Sequence, residues 1–336
     1  GFFQGTIDFD PGPEVYNLTS MGGFDIYISK LDNSGNFIWA KNIGGSGSEI
    51  PRSIRVDGNG NIYLTGSFNQ TTDFDPGDGV YNMTTFGDSD IFVIKINSSG
   101  NLLWAKQFGG SLSDWGKSIA IDNLNNIYVT GCFSGIADFN PEDGIFNLTS
   151  TGLYDIFILK FDPSGNVSWV KQVGGIQDDT GYSIDVDGNN SVYLTGTFKE
   201  SADFDPGDGT VIMTSAGSID IFILKLDSSG IFTWVKQIGG TDSENFSSIK
   251  VDKSGNSYLT GNFKGIVDFD PGPGVSNGLN LSMIDNIFVL NLNSSGNFNW
   301  FKTFYGYYDY VISESVVTRD NTGNIYIAGG FVNAGD

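Results

Sequence analysis

The chain contains no histidine, a single cysteine (Cys132), and only 17 basic residues against 39 acidic ones, for a net charge of −22. Each shortage removes a class of function. Without histidine there is no Ser-His-Asp triad, no imidazole base and no His-ligated zinc. One cysteine cannot close an internal disulfide, so cysteine usage does not reveal the redox compartment. Nucleic acids and anionic lipids are held by clustered Lys and Arg, and neither is an expected partner of so acidic a chain. No apolar run approaches the ~20 residues of a membrane-spanning helix, so membrane insertion is not expected. The opening Gly1-Phe2-Phe3-Gln4 has neither Met nor a basic stretch, which predicts no leader peptide here and suits a mature form or an excised piece.

What is abundant is glycine, 47 of 336 residues, and self-similarity. Trp39, Trp104, Trp169, Trp234 and Trp300 follow one another at steps of 65, 65, 65 and 66. Asp-Phe recurs every 65 residues, from Asp8-Phe9 to Asp268-Phe269. A repeat of this period is one supersecondary unit, and five copies leave no residues for a second domain, so a single domain over 1–336 is expected.

Each copy reads as four short strands, which we label a to d. In one copy these are Ser118–Asp122, Asn126–Phe133, Asp155–Phe161 and Val167–Val173. They are short, β-branched or aromatic, and bounded by Gly, Asn and Asp, and no segment sustains a helical period. Runs such as Asp57-Gly58-Asn59-Gly60-Asn61 predict tight hairpin turns between a and b and between c and d. Four antiparallel strands per repeat point to an all-β fold, a β-propeller, with each blade sandwiched between neighbours. Gly1-Phe2-Phe3 and Gly329-Gly330-Phe331 both match the end of strand b. The expectation is five blades in a ring closed by strands shared between the N- and C-terminal ends; a fragment of a larger propeller or open array is the alternative.

Strand alternation puts the b-to-c and d-to-a connections on one face, and binding residues concentrate in such long loops. Three candidate sites lie there. The first is the Asp-Phe-Asp-Pro-Gly block, with Asp8 and Asp10, Asp73 and Asp75, Asp138 and Asn140, Asp203 and Asp205, Asp268 and Asp270. Asp78, Glu142 and Asp208 add oxygens nearby. Carboxylates two apart beside loop carbonyls suit Ca²⁺; equally, Phe as anchor, Pro fixing φ and Asp bonding local amides make a rigid turn without metal. The second is the acid after each Gly-Gly: Glu49, Asp114, Asp179 and Glu244. These either ring a channel mouth, binding a cation and raising one another's pKa, or are solvated acids and caps on nearby amides. The third is the set of departures from symmetry: Tyr305, Tyr307, Tyr308 and Tyr310 in one loop, and Trp115 outside the Trp column. These rings could stack on sugars or anchor a partner, or pack at a seam.

Asp57 to Gly66, reading Asp-x-x-Gly-Asn-x-Tyr-x-Thr-Gly, resembles the SBBP-type bacterial β-propeller repeat, and Asp187 to Gly196 and Asp252 to Gly261 repeat it. The string Asp-Ile-Phe through Trp-x-Lys to Gly-Gly, as in Asp220 to Gly240, looks like the variant in large exported proteins of gliding bacteria. The resemblance implies a secreted, cell-surface protein exported by a type IX route, whose C-terminal signal is not in this stretch, and it brings no catalytic residues. Asn140 in the third copy, and Asn286 and Asn291 in the fifth, depart from the pattern and put a site at those positions in doubt. Near-perfect symmetry suits multivalent binding more than one asymmetric active site, so the expected function is a non-catalytic extracellular interaction or adhesion module, or a structural part of a surface assembly, meeting a protein or glycan partner through the long-loop face. The runners-up are a lectin-like propeller and a five-bladed glycoside hydrolase, which needs two or three carboxylates and no histidine.

Overall fold

The computed structural model describes residues 1–140, 144–280, 286–304, 312–320 and 322–331, and these contain antiparallel strands and no helix. They form two compact units, one of residues 1–119 and 133–149, the other of 120–132 and 150–336.

In the first unit a complete blade runs a, Glu49–Val56; b, Ile62–Phe68; c, Asp90–Ile96; d, Leu102–Gly110. Strand b pairs with a on one side and c on the other, and c pairs with d. The turn chemistry expected from Asp57 to Asn61 is present. Asp57 Oδ1 accepts the Asn59 and Asn61 amides, Asn61 Nδ2 donates to Oδ2, and Gly60 takes φ 80°, a conformation L side chains avoid. Strands b and c are buried along nearly their whole length, which is why both read as continuous apolar runs.

The second unit repeats the plan in a, Thr180–Val186; b, Val192–Phe198; c, Asp220–Leu226; d, Phe232–Gly240, and again from Asn245–Val251 to Phe298–Phe304. The Trp column packs repeat against repeat. Trp39 Nε1 donates to the Ser98 carbonyl in the next repeat's turn, and Trp234 Nε1 to that of Ser294, both at 3.4 Å.

The b-to-c connection is more than a loop. In the first blade it folds into a small hairpin of Thr71–Asp73 and Asn82–Thr84. Thr72 and Asp73 pair with Gly45 and Gly44, the last residues of the preceding repeat's strand d. Each later repeat does the same: Ala137 and Asp138 on Gly110 and Gly109, Ala202 and Asp203 on Gly175 and Gly174, Val267 and Asp268 on Gly240 and Gly239. Glycine is needed because strand backbone lies where a side chain on Gly45 or Gly110 would go.

Among the described residues, no strand pairing links the N-terminal strands to the C-terminal ones. Asp25–Leu31 has only the two residues Phe2–Phe3 on its inner side, and Ile325–Phe331 pairs with Ile312–Arg319 alone among the described residues. Leu31 is 45% exposed, whereas its counterparts Ile96, Phe161 and Leu226 are buried. Tyr326 is 55% exposed, whereas Tyr63, Tyr128 and Tyr193 are buried. Among the described residues, four repeats carry all four strands.

Candidate functional site

The Asp-Phe-Asp-Pro-Gly block forms the tip of each loop hairpin. Asp73 Oδ1 accepts the amides of Asp75 (3.0 Å) and Tyr81 (2.7 Å), and Asp75 Oδ1 accepts that of Gly77 (2.8 Å). Asp8 with Asp10, Asp203 with Asp205 and Asp268 with Asp270 repeat these bonds. Asp138 accepts from Asn140 and Phe146 in the same way. The Phe is the anchor. Phe74 is buried, edge-on to Phe68 at 5.1 Å and beside Phe92, and Phe204 and Phe269 sit likewise. This is the rigid-turn arrangement. One oxygen of each Asp serves amides, and among the described residues no group of three acids is gathered at these tips. Glu142 lies outside the described residues.

The acids after Gly-Gly are not at an open mouth: Glu49, Asp114, Asp179 and Glu244 are fully buried. Each cap involves the end of strand d. Asp114 Oδ2 accepts the Gly110 amide at 2.8 Å and Oδ1 accepts that of Ser134 at 3.0 Å. Asp179 takes the amides of Gly175 and Lys199, and Glu244 that of Gly240. Glu49 accepts the Thr72 hydroxyl at 2.6 Å. The amide-cap reading holds and the solvated one does not.

Each of these acids has a buried partner that sequence reasoning missed, the Asp opening strand c: Asp25, Asp90, Asp155 and Asp220. Burial pushes Glu49, Asp114 and Asp179 up to about 7 and Glu244 to about 8, and the partner carboxylate adds to each rise. Burial also raises Asp90 to about 6, and raises Asp25 and Asp155. The available signal was a constant separation: every acid follows its partner by 24 residues.

Trp115 opens a strand, Trp115–Ile121, half-buried with the Lys117 ammonium 5.0 Å from its ring centre. Tyr305, Tyr307, Tyr308 and Tyr310 lie outside the described residues. A second feature that the sequence reading passed over is an apolar side chain repeated at the hairpin tips. Val15, Val80, Ile145 and Val275 are 70, 73, 81 and 74% exposed. Beside them Tyr16, Tyr81 and Phe146 are exposed as well. No helix among the described residues is long and apolar enough to cross a membrane.

The family model for the SBBP beta-propeller repeat matches residues 38–70, 103–131 and 168–197. These matches run from strand d through the Gly-Gly and buried-acid segment to strand b of the next repeat. The chain is similar to an uncharacterized WD repeat-containing protein, L264, of Acanthamoeba polyphaga mimivirus, at 28% identity over 62% of this chain and 17% of that protein. It is also similar to the regulatory protein FlaEY of Caulobacter vibrioides, at 23% identity over 73% of this chain and 26% of that protein. The chain thus spans about a quarter or less of the length of these relatives. Three segments of the chain thus match the SBBP beta-propeller repeat, and the strand order within the repeats agrees with those matches.

Proposed function

We propose that this chain is a non-catalytic interaction module, working outside the cell on a bacterial surface, and that it grips a protein partner through the tips of its loop hairpins. The carrying observation is the exposure of the same apolar position in four repeats, at Val15, Val80, Ile145 and Val275. A soluble chain that leaves the same apolar position bare in four of five copies gains nothing in folding from it, whereas an apolar contact repeated on rigid stems gives avidity. The stems are rigid because each tip is held by Asp–amide bonds and an anchored Phe. The relatives, one a WD repeat-containing protein and one a regulatory protein, accord with this reading. A five-blade ring belongs to it as well, since closure would bury Leu31 and Tyr326.

The test compares wild type with a variant carrying Val15→Ser, Val80→Ser, Ile145→Ser and Val275→Ser, both shown to be folded by thermal melting. Beads bearing each are set against bacterial surface-protein preparations and a glycan array. Saturable protein binding lost in the variant supports the reading. Equal binding by both chains sinks the tip assignment, and sugar-specific binding on the array replaces it with a lectin.

A further inference from the structure

Four repeats each bury two carboxyls that nothing basic neutralises. Every hydrogen-bond donor to Asp90 and Asp114 is neutral: the amides of Phe86, Gly110 and Ser134, and the Gln107 side chain. Asp90 Oδ1 is buried without a partner, as are Oδ1 of Asp25 and Asp155, Oε2 of Glu49 and Oε1 of Glu244. The pair converges. Asp90 Oδ1 and Asp114 Oδ2 lie 2.7 and 2.8 Å from the point that a Cβ on Gly109 would occupy. Two like charges at such a point, out of water, cannot both stand.

Something must therefore neutralise each pair. A divalent cation needs six or more oxygens, and here most are already accepting N–H donors, with no third acid in reach among the described residues. A proton needs only one oxygen lone pair and a neighbour to accept from it, which the unpartnered oxygens provide. The fifth repeat is the contrast: Asn286 stands where the others have Asp, and Thr303 stands in the position of Gln107, Gln172 and Gln237. The carboxyl and its amide donor are replaced together.

The location gives the proton a task. Asp114 joins the end of strand d, through Gly110, to the start of the next connection, through Ser134. The same Gly109-Gly110 step carries the loop hairpin on Asp138 and Ala137. We propose that each of the four carboxyl pairs holds one proton in the folded chain near neutral pH, and that losing it loosens the loop hairpin from the strand on which it is seated. The charged groups facing the pairs do not oppose this. Glu49 faces Asp25, Asp179 faces Asp155 and Asp178, and Glu244 faces Asp220 and Asp242. The nearby cation Lys199 is taken by Asp178 at 2.7 Å.

The sign follows from linkage. A carboxyl whose folded pKa is raised stabilises the fold below its unfolded value, and that contribution is lost as pH rises through the folded one. The opening constant of each hairpin, read by hydrogen exchange after correction for intrinsic exchange, is expected to rise about tenfold per pH unit toward neutrality and then level off. Asp90→Asn, which copies the fifth repeat, flattens that slope for the hairpin of residues 133–149 and leaves the hairpin of residues 201–214 unchanged. If that variant does not fold, proton release on unfolding of the wild type between pH 5.5 and 7 decides. Release of several protons supports the pairs, and release of none overturns them. A pH-independent opening constant, or hairpins loosened by EDTA at constant pH, also overturns the proposal, the latter in favour of a metal.

Discussion

Aspartate does three different jobs in this chain, and its neighbours decide which. In the a-to-b and c-to-d turns it stays ionised. Asp32, Asp57, Asp162 and Asp252 accept amide bonds that hold them below the usual carboxylate range, and the Asn four residues on donates twice. At the hairpin tips Asp73 and its equivalents tie off the turn. At the strand ends Asp90 and Asp114 are buried without a cation. Replacing Asp73 by Ala removes the acceptor for two amides and is expected to cost about 1–2 kcal/mol in urea denaturation. Calcium at millimolar concentration, against EDTA, is expected to leave the melting midpoint of wild type unmoved, and a calcium-specific rise would restore the metal reading of Asp8 through Asp270. The turn aspartates could be read from the sequence because Asp-x-x-Gly-Asn specifies its own local bonds. The buried pairs could not, because residues 24 apart meet only once the strands are paired.

Among elements, the four-strand repeat was legible and the loop hairpin was not. Strands of seven to nine residues carry an apolar pattern long enough to read, whereas Thr71–Asp73 and Asn82–Thr84 have three residues each. Their partner is the Gly-Gly step of the preceding repeat, which looks like a loop opening in the sequence and is the end of a strand in the structure. Phe74 bridges these parts, buried against Phe68 and Phe92. Phe74→Ala is expected to cost about 3–5 kcal/mol through the cavity left behind, and hydrogen exchange should show hairpin 71–84 opening first. Exchange that instead rises uniformly across the blade would show that the hairpin is not a separate unit of stability.

For the molecule as a whole, two families of carboxyls pull stability in opposite directions with pH. The turn aspartates, with lowered pKa, contribute stability above their unfolded value that is lost as pH falls through the folded one. The buried acids Glu49, Asp90, Asp114, Asp179 and Glu244, raised to about 6 to 8, contribute stability at low pH that is lost as pH rises through that range. The melting midpoint is therefore expected to peak in mildly acidic buffer and to fall by pH 8; a midpoint still rising between pH 6 and 8 would contradict the buried pairs. A net charge of −22 adds self-repulsion, so raising the salt from 20 mM to 0.5 M at pH 8 should lift the midpoint.

The overlap of neighbouring repeats also sets an order of dismantling. Each outer strand ends beneath a hairpin that belongs to the repeat after it, at Gly44-Gly45, Gly109-Gly110, Gly174-Gly175 and Gly239-Gly240. Each junction is therefore common property: the end of one repeat's strand and the start of the next repeat's hairpin share the same two residues of backbone pairing, so a lesion placed there is felt on both sides of the boundary.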